Sequence, residues 1–124
     1  MKVFDLNALQ PQNVSGLYQR TLAQGQNLSV ARLKVGKGAI TETHSHEHEE
    51  VIVVLHGSWA FHFPGKDVTL HADQVLTIPP GVEHSSEALE DVIAIDICTP
   101  TRQDWICQED EALHTDQDQF LWAV

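Results

Sequence analysis

Two short stretches of the chain carry imidazole and carboxylate groups at close spacing. The first supplies His44, His46 and Glu50, and the second, which begins with two prolines, supplies His84. Imidazole nitrogen and carboxylate oxygen are ligands for divalent Mn, Fe, Co, Ni and Zn. Three imidazoles and one carboxylate leave two positions of an octahedral shell open. The spacing therefore predicts one divalent metal ion per subunit, held by these four side chains.

The four groups converge only if the chain reverses between them. In a strand, residues two apart point to the same face, so His44 and His46 can aim at one point. Four residues of strand span about 13 Å, so a turn must separate His46 from Glu50. The double proline predicts a rigid turn in which Gly81 is free to take a positive φ. Such a turn can deliver His84 from a later strand.

The surrounding sequence predicts strands. Apolar residues recur in short segments between residues 28 and 99, with Gly, Pro and Asp at the breaks. The β-branched run 51–55 is continuous, which predicts a strand buried on both faces. Many short strands at even spacing are typical of an all-β sandwich or barrel. We expect strands at 28–35, 51–55, 59–63, 68–70, 75–78 and 92–98.

The length of 124 residues predicts a single domain. We expect a barrel over residues 28–104, preceded by an arm over 1–27 with one short strand. Residues 105–124 are expected to form a tail. This tail is acidic and ends in the apolar segment 120–124, which we expect to dock on the body of the protein or, alternatively, on a partner subunit.

Charge and composition exclude several partners. The formal net charge of −11 argues against nucleic acid, which proteins bind through basic patches. No apolar run approaches the roughly 20 residues of a membrane span, and no signal peptide is evident. We therefore expect a cytoplasmic protein that binds neither nucleic acid nor membrane, with its two cysteines reduced.

The two stretches resemble the motifs of the cupin family. The first fits the pattern G-x5-H-x-H-x3-E-x6-G, and the second fits P-x-G-x2-H. The matching positions are Gly38, His44, His46, Glu50 and Gly57, then Pro79, Gly81 and His84. The resemblance implies a double-stranded β-helix, which is a small jelly-roll barrel with one metal inside, and commonly a homodimer. Asp73 stands where the family has a leading Gly, and Asp can also occupy a left-handed turn position.

A narrower resemblance lies downstream. The segment 87–105 is similar to the end of the pectin-degradation cupins, which linearise 4,5-unsaturated monouronates. In those proteins an Asp, a Phe two residues later and an Arg six residues after the Asp surround the substrate. Asp96, Cys98 and Arg102 hold those spacings, with Cys98 in place of the aromatic ring. The resemblance implies that Asp96 and Arg102 are catalytic.

Each of these residues has a functional and an ordinary interpretation. Asp96 is a general base at the barrel mouth, or a carboxylate hydrogen-bonded at the sheet end. Arg102 grips a substrate carboxylate with two parallel hydrogen bonds, or lies solvated in a loop. Cys98 shares the face of Asp96 and is expected to form a pocket wall. His62 lines the same pocket if Phe61 faces the other way, and is otherwise a surface residue.

The predicted function is conversion of unsaturated uronate monosaccharides to the linear 5-keto-4-deoxyuronate by a metal-dependent isomerase. The expected ligand is a small anionic sugar or another small molecule. Two alternatives stay open at this point. One is a non-haem dioxygenase with the same ligand set, and the other is a cupin that binds a metal or a small molecule without turnover.

Overall fold

The computed structural model describes residues 1–107 and 114–115. These residues form eleven β-strands and one short helix. The strands are β1 (Gln12–Ser15), β2 (Tyr18–Gln24), β3 (Ser29–Val35), β4 (Ile40–His44), β5 (Glu49–His56), β6 (Trp59–Phe63), β7 (Lys66–Leu70), β8 (Val75–Ile78), β9 (His84–Ala88), β10 (Val92–Thr99) and β11 (His114–Thr115). The helix α1 (Gln103–Cys107) lies between β10 and β11.

The strands make two antiparallel sheets. One has six strands in the order β1-β2-β3-β10-β5-β8, and the other has five in the order β11-β4-β9-β6-β7. Apolar side chains from both sheets form one core. The predicted all-β cupin jelly roll is confirmed, although within the described residues the two sheets do not close into a single hydrogen-bonded barrel.

Strand β10 lies at the centre of the six-stranded sheet, between β3 and β5. Its buried residues alternate, so that Asp96 and Cys98 share the inner face with Val92 and Ala94. This is the face predicted for Asp96 and Cys98. A carboxylate on an otherwise apolar face therefore points into the interior of the protein.

The expectation for β5 was wrong in one respect. Ile52 and Val54 are buried, but Val51 and Val53 are only half-buried and Leu55 is exposed. An antiparallel sheet with one covered face needs only alternate residues inside, even where the sequence is continuously apolar.

The first 27 residues contain two strands, β1 and β2, and not the single short strand expected. They extend the six-stranded sheet through antiparallel pairing of β2 with β3. Val14 and Tyr18 join the hydrophobic core, and Arg20 is buried beside them. Burial of these side chains accounts for the ordered pairing of this segment with the sheet.

Helix α1 follows β10 and places Trp105 in the core. The side-chain amide of Gln12 donates a hydrogen bond to the carbonyl of Trp105 over 3.2 Å, which ties the helix to β1. The predicted docking of segment 120–124 lies outside the described residues, as does most of the acidic segment before it. None of the helical residues that the structure describes forms a helix long and apolar enough to cross a membrane.

Two tight turns fix the strands around the metal-ligand candidates. Gly81 takes a φ of 80° after the double proline, and Asp73 takes a φ of 70° before β8. Both left-handed conformations were predicted. At Gly57, which has a φ of 88°, a side chain would overlap the carbonyl oxygen of Asp91, so only Gly fits the turn between β5 and β6.

Candidate metal centre

Two adjacent strands of the five-stranded sheet bring the imidazoles of His44 and His84 together. His44 ends β4 and stands opposite His84, which begins β9. Their ring centroids are 4.5 Å apart. His46 follows β4 in the turn toward β5, and its ring centroid is 5.2 Å from that of His84. The amide of Gly81 donates to the carbonyl of His46 over 2.7 Å, so a backbone hydrogen bond joins the two motifs.

The fourth group comes from the other sheet. Glu50 lies in β5, as the predicted reversal after His46 requires. Its Oε1 atom is 3.2 Å from Nε2 of His46 and 3.7 Å from Nε2 of His84. One candidate ligand atom from each histidine lies within 4.8 Å of the other two. The structure thus brings together all four side chains that the sequence predicted.

Main-chain carbonyls hold each of the three imidazoles at Nδ1. The partners are the carbonyls of Glu42 for His44 at 2.9 Å, of His48 for His46 at 3.0 Å and of Val82 for His84 at 2.9 Å. A carbonyl oxygen only accepts, so Nδ1 is the protonated nitrogen in each ring. Each neutral ring therefore has a lone pair on Nε2, the tautomer that a metal ligand needs.

The arrangement fits a cation. Burial lowers the pKa values of His44 and His84, and backbone hydrogen bonds only partly offset this, so both rings favour the neutral form. Neutral Nε2 atoms and the Glu50 carboxylate then present lone pairs to one another at close range. Only a positive ion between them, a proton or a metal, makes that packing favourable. The cluster is able to hold a divalent metal, and its mixed N and O donors suit Mn, Fe, Co, Ni or Zn.

Glu50 also pairs with Asp96. Burial alone would raise the pKa of Glu50, but a hydrogen bond with His46, whose Nε2 donates when the ring is doubly protonated, and one with Asp96 outweigh burial and lower the pKa to about 2. Asp96 shows the opposite shift, because burial and the adjacent charge of Glu50 raise its pKa. Two buried carboxyl groups in contact do not both ionise readily. Without a further cation, Glu50 is the ionised partner and Asp96 the protonated one.

A cavity in the interior joins this cluster to the other predicted catalytic residues. Its wall includes members of both sheets and of α1. The lining residues are Tyr18, Thr41, His44, Glu50, Ile52, Trp59, Phe61, His84, Ser86, Asp96, Arg102 and Trp105. Asp96 and Arg102 are 3% and 4% exposed, so both are interior groups. The interpretations of Asp96 as a sheet-end group and Arg102 as a solvated loop residue do not hold.

Arg102 is engaged differently from the expectation. Its Nε donates to Oδ1 of Asp104 over 2.7 Å, and its Nη2 donates to Oδ2 of the same carboxylate. Burial alone would lower the pKa of Arg102, but these bonds and the charge of Asp104 raise it. The Nε–Nη2 edge of the guanidinium is therefore occupied within the chain. Nη1 donates to Sγ of Cys98 over 3.8 Å, and further N–H groups of Nη1 and Nη2 remain, so a ligand carboxylate would meet the opposite edge of the guanidinium.

The two predicted pocket residues have different positions. Cys98 is a free, fully buried thiol whose Sγ lies 3.8 Å from Oδ1 of Asp96 and 3.8 Å from Nη1 of Arg102. It packs behind the cavity wall, and burial raises the pKa of its thiol. His62 does not line the cavity. Its side chain is exposed and bonds to Oδ1 of Asp67 at 2.9 Å, because Trp59 and Phe61 occupy the inner face of β6.

Sequence reasoning missed two residues near the site. Arg20, buried in β2, lies with its guanidinium carbon 5.1 Å from the ring centroid of Trp105, and that of Arg102 is 4.6 Å from the same ring. Arg20 shares the alternation of Tyr18 and Leu22, and a charge in that apolar series was the available signal. No comparable local pattern marks Trp105 as part of the cavity.

Comparison with known proteins agrees with this architecture. KdgF from Halomonas sp. is 27% identical, with a TM-score of 0.79 over 85% of this chain and 98% of that one. An RmlC-like cupin from Shewanella frigidimarina is 24% identical, with a TM-score of 0.78 over 85% of this chain and 96% of that one. Oxalate decarboxylase from Bacillus subtilis shares the fold at 18% identity, with a TM-score of 0.68 over 78% of this chain and 29% of that one.

Comparison with curated protein sequences gave no match. The model of the cupin domain, in contrast, matches residues 31–98, more than half of the chain. That range contains both histidine stretches as well as Asp96 and Cys98. With two antiparallel sheets around a His–Glu cluster and this domain match, the chain belongs to the cupin family.

Proposed function

We propose that the protein is a metal-dependent isomerase that opens the ring of an unsaturated uronate monosaccharide. The observation that carries this proposal is the shared cavity, in which buried Asp96 and Arg102 stand beside His44, Glu50 and His84. Similarity to the pectin-degradation cupin KdgF supports the choice of substrate class. The product is the linear 5-keto-4-deoxyuronate.

The charges of the cavity suit an anionic ligand. Arg102 lies in its wall and Arg20 lies behind Trp105, so two guanidinium groups flank one aromatic side of the site. A divalent cation held by the histidine cluster would polarise a substrate oxygen as a Lewis acid, and its charge would offset Glu50 and so favour ionised Asp96. The carboxylate of a uronate then meets net positive charge, although the protein as a whole is acidic.

The chain's own residues supply the proton transfers. Asp96 takes the proton from the anomeric hydroxyl of the sugar as the C1–O5 bond breaks. C1 becomes an aldehyde, and the electron pair of the broken bond forms an enolate over O5, C5 and C4. The proton then returns to C4, which leaves a ketone at C5. Atoms and electrons balance without an oxidant, since the reaction is an isomerisation.

Access requires a change in the wall. The cavity measures about 40 Å³, which is room for only a few water molecules. Ligand pockets for small organic molecules are typically several hundred Å³. A bound sugar therefore requires side chains of the wall to move outward.

The decisive test follows the enol ether of the substrate. Unsaturated monouronate is incubated with metal-loaded protein, and the loss of its ultraviolet absorbance is measured together with the product by NMR. We expect turnover by the wild type and by His62→Ala, whose imidazole lies outside the cavity. Turnover by Asp96→Asn at the wild-type rate would remove Asp96 from the mechanism.

Two other results would identify the alternative functions. Oxygen uptake with a strict requirement for iron would favour a dioxygenase. No turnover of uronate or oxygen, with tight retention of a small acid, would indicate a binding cupin. From the family resemblance we also propose that the protein is a homodimer, and from the sequence that it is cytoplasmic.

A further inference from the structure

Arg102 is held on three sides by its own chain. Its backbone amide donates to Oγ of Ser29 over 2.8 Å, which fixes the start of the side chain. Its Nε and Nη2 both donate to the carboxylate of Asp104. One face of the guanidinium lies over the ring of Trp105 at 4.6 Å. Two consecutive residues of the short helix α1 thus grip this arginine.

The remaining end of the guanidinium faces the interior. Nη1 lies 3.8 Å from Sγ of Cys98, which in turn lies 3.8 Å from Oδ1 of Asp96. This amino group carries two N–H donors. Nη2 also carries two, and its bond to Asp104 uses one of them. Because the Nε–Nη2 edge is fixed by Asp104, the direction of the opposite Nη1–Nη2 edge is set by the position of that carboxylate.

We propose that Asp104 is a positioning residue that acts through Arg102 and makes it meet a bound anion end-on, through the edge formed by Nη1 and the second N–H of Nη2. The identity of that anion, a uronate, rests on the proposed function. The orientation of Arg102 by Asp104 is independent of the proposed function, since it follows from the contacts within the chain. An ordinary stabilising ion pair is the competing interpretation, because the side chain of Asp104 is 30% exposed.

The substitution Asp104→Asn separates the two interpretations, because loss of a positioning residue should change KM more than kcat. The amide keeps the shape of the carboxylate but offers one acceptor oxygen in place of two. Holding one flexible side chain in place is worth roughly a two- to tenfold difference in affinity. We expect KM for the unsaturated uronate to rise by about that factor, with a smaller change in kcat and an unchanged metal content. Asp67→Asn is the matched control, because Asp67 pairs with His62 on the outer face.

A double-mutant cycle tests whether Asp104 acts through Arg102. In an Arg102→Ala background, Asp104→Asn should have no further effect on KM, since the group that it positions is gone. If the two substitutions change KM independently, so that their factors multiply in the double variant, the proposal is overturned. Equal loss of thermal stability in Asp104→Asn and Asp67→Asn, with no change in KM for either, would also overturn it.

A spectroscopic measurement decides the orientation independently of turnover. The ¹⁵N NMR signal of the Arg102 Nε–H group is recorded in the metal-loaded protein and assigned by its loss in Arg102→Lys. In Asp104→Asn we expect this signal to shift and its exchange with water to accelerate. The Nε–H signal of Arg20, which donates to Gln12 over 2.8 Å, should stay in place.

The outcomes are distinguishable. If the Arg102 signal moves but the wild type does not turn over uronate, the proposed function fails while the orientation by Asp104 stands. The affinity for D-galacturonate, a saturated uronate, is then measured by calorimetry, and a weaker affinity in Asp104→Asn supports end-on anion binding. An unchanged Arg102 signal, or an affinity equal to that of the wild type, would refute the proposal.

Discussion

His84 and His62 lie on neighbouring strands of one sheet, and their environments are opposite. His84 is buried, its Nδ1 donates to a main-chain carbonyl, and its Nε2 faces Glu50 at 3.7 Å. His62 is exposed, and its Nδ1 is bonded to the carboxylate of Asp67, which is itself in solvent. The residue type is the same, but only His84 has a fixed tautomer and neighbours that need a cation between them. An imidazole on this sheet becomes able to hold a metal through its position in the fold.

The two histidines should differ most in metal binding when each ring is removed by substitution. His84→Ala deletes one of four ligands, and the remaining three still face one another without a cation to join them. We expect metal affinity to fall by more than about 100-fold, since even groups that only orient metal ligands are worth 10- to 100-fold. His62→Ala should bind metal as the wild type does. Metal content after dialysis against a weak chelator measures both, and equal metal loss in the two variants would contradict the assignment.

The buried carboxyl group should show the next largest effect. Asp96→Asn keeps the shape of the side chain and removes its ability to accept a proton. We expect the rate of uronate turnover to fall by about 10²- to 10⁴-fold, the usual contribution of a positioned acid or base. Elemental analysis should show that the variant retains its metal, which separates loss of the base from loss of the site.

Removal of Arg102 should have a smaller effect, which acts mainly on binding. A hydrogen bond from a charged donor contributes about 1.5–3 kcal/mol, so Arg102→Ala should raise KM by about 10- to 100-fold. Initial rates over a range of substrate concentrations give KM and kcat separately. An unchanged KM would show that Arg102 serves the structure and not the ligand.

Salt should have the smallest effect. A chain with a net charge of −11 repels an anionic sugar at long range, and ionic strength screens this repulsion over about 10 Å at 0.1 M. Attraction to the cavity is local and is screened less. We expect added salt to leave kcat/KM unchanged or to raise it slightly, whereas a steep fall would mean that long-range attraction guides the substrate.

The contrast between His84 and His62 also shows which features of the site the sequence could predict. The spacing of His44, His46, Glu50 and His84, together with the motif glycines, identified the four candidate ligands. The reversal before Glu50 was predicted correctly, but His46 lies in the turn after β4 and not in the strand. The alternation of β10 likewise placed Asp96 and Cys98 on one face, which is the inner face in the structure. For β6 the alternation was visible, but either face could have been the inner one, and pairing with β7 and β9 decides which. For His62 the pocket interpretation was therefore wrong, and the surface alternative holds.

Groups that meet through long-range packing were not predictable. Trp105 reaches the cavity because α1 folds back against β1, and no local pattern encodes that contact. The pairing of Arg102 with Asp104 is local in sequence, yet its consequence depends on burial of the guanidinium, which the surrounding sheet provides. The pairing with Asp104 was missed for this reason, and the grip on a substrate carboxylate stays a prediction for the opposite edge of the guanidinium.

The central claim is that His44, His46, Glu50 and His84 bind one divalent ion together. The most direct test is an anomalous difference map from crystals of the protein purified without added chelator, with data collected at the absorption edge of the metal found by elemental analysis. We predict a single peak at about 2.0–2.2 Å from the three Nε2 atoms and from a carboxylate oxygen of Glu50. The absence of a peak there, or a peak bound to other residues, would contradict the claim.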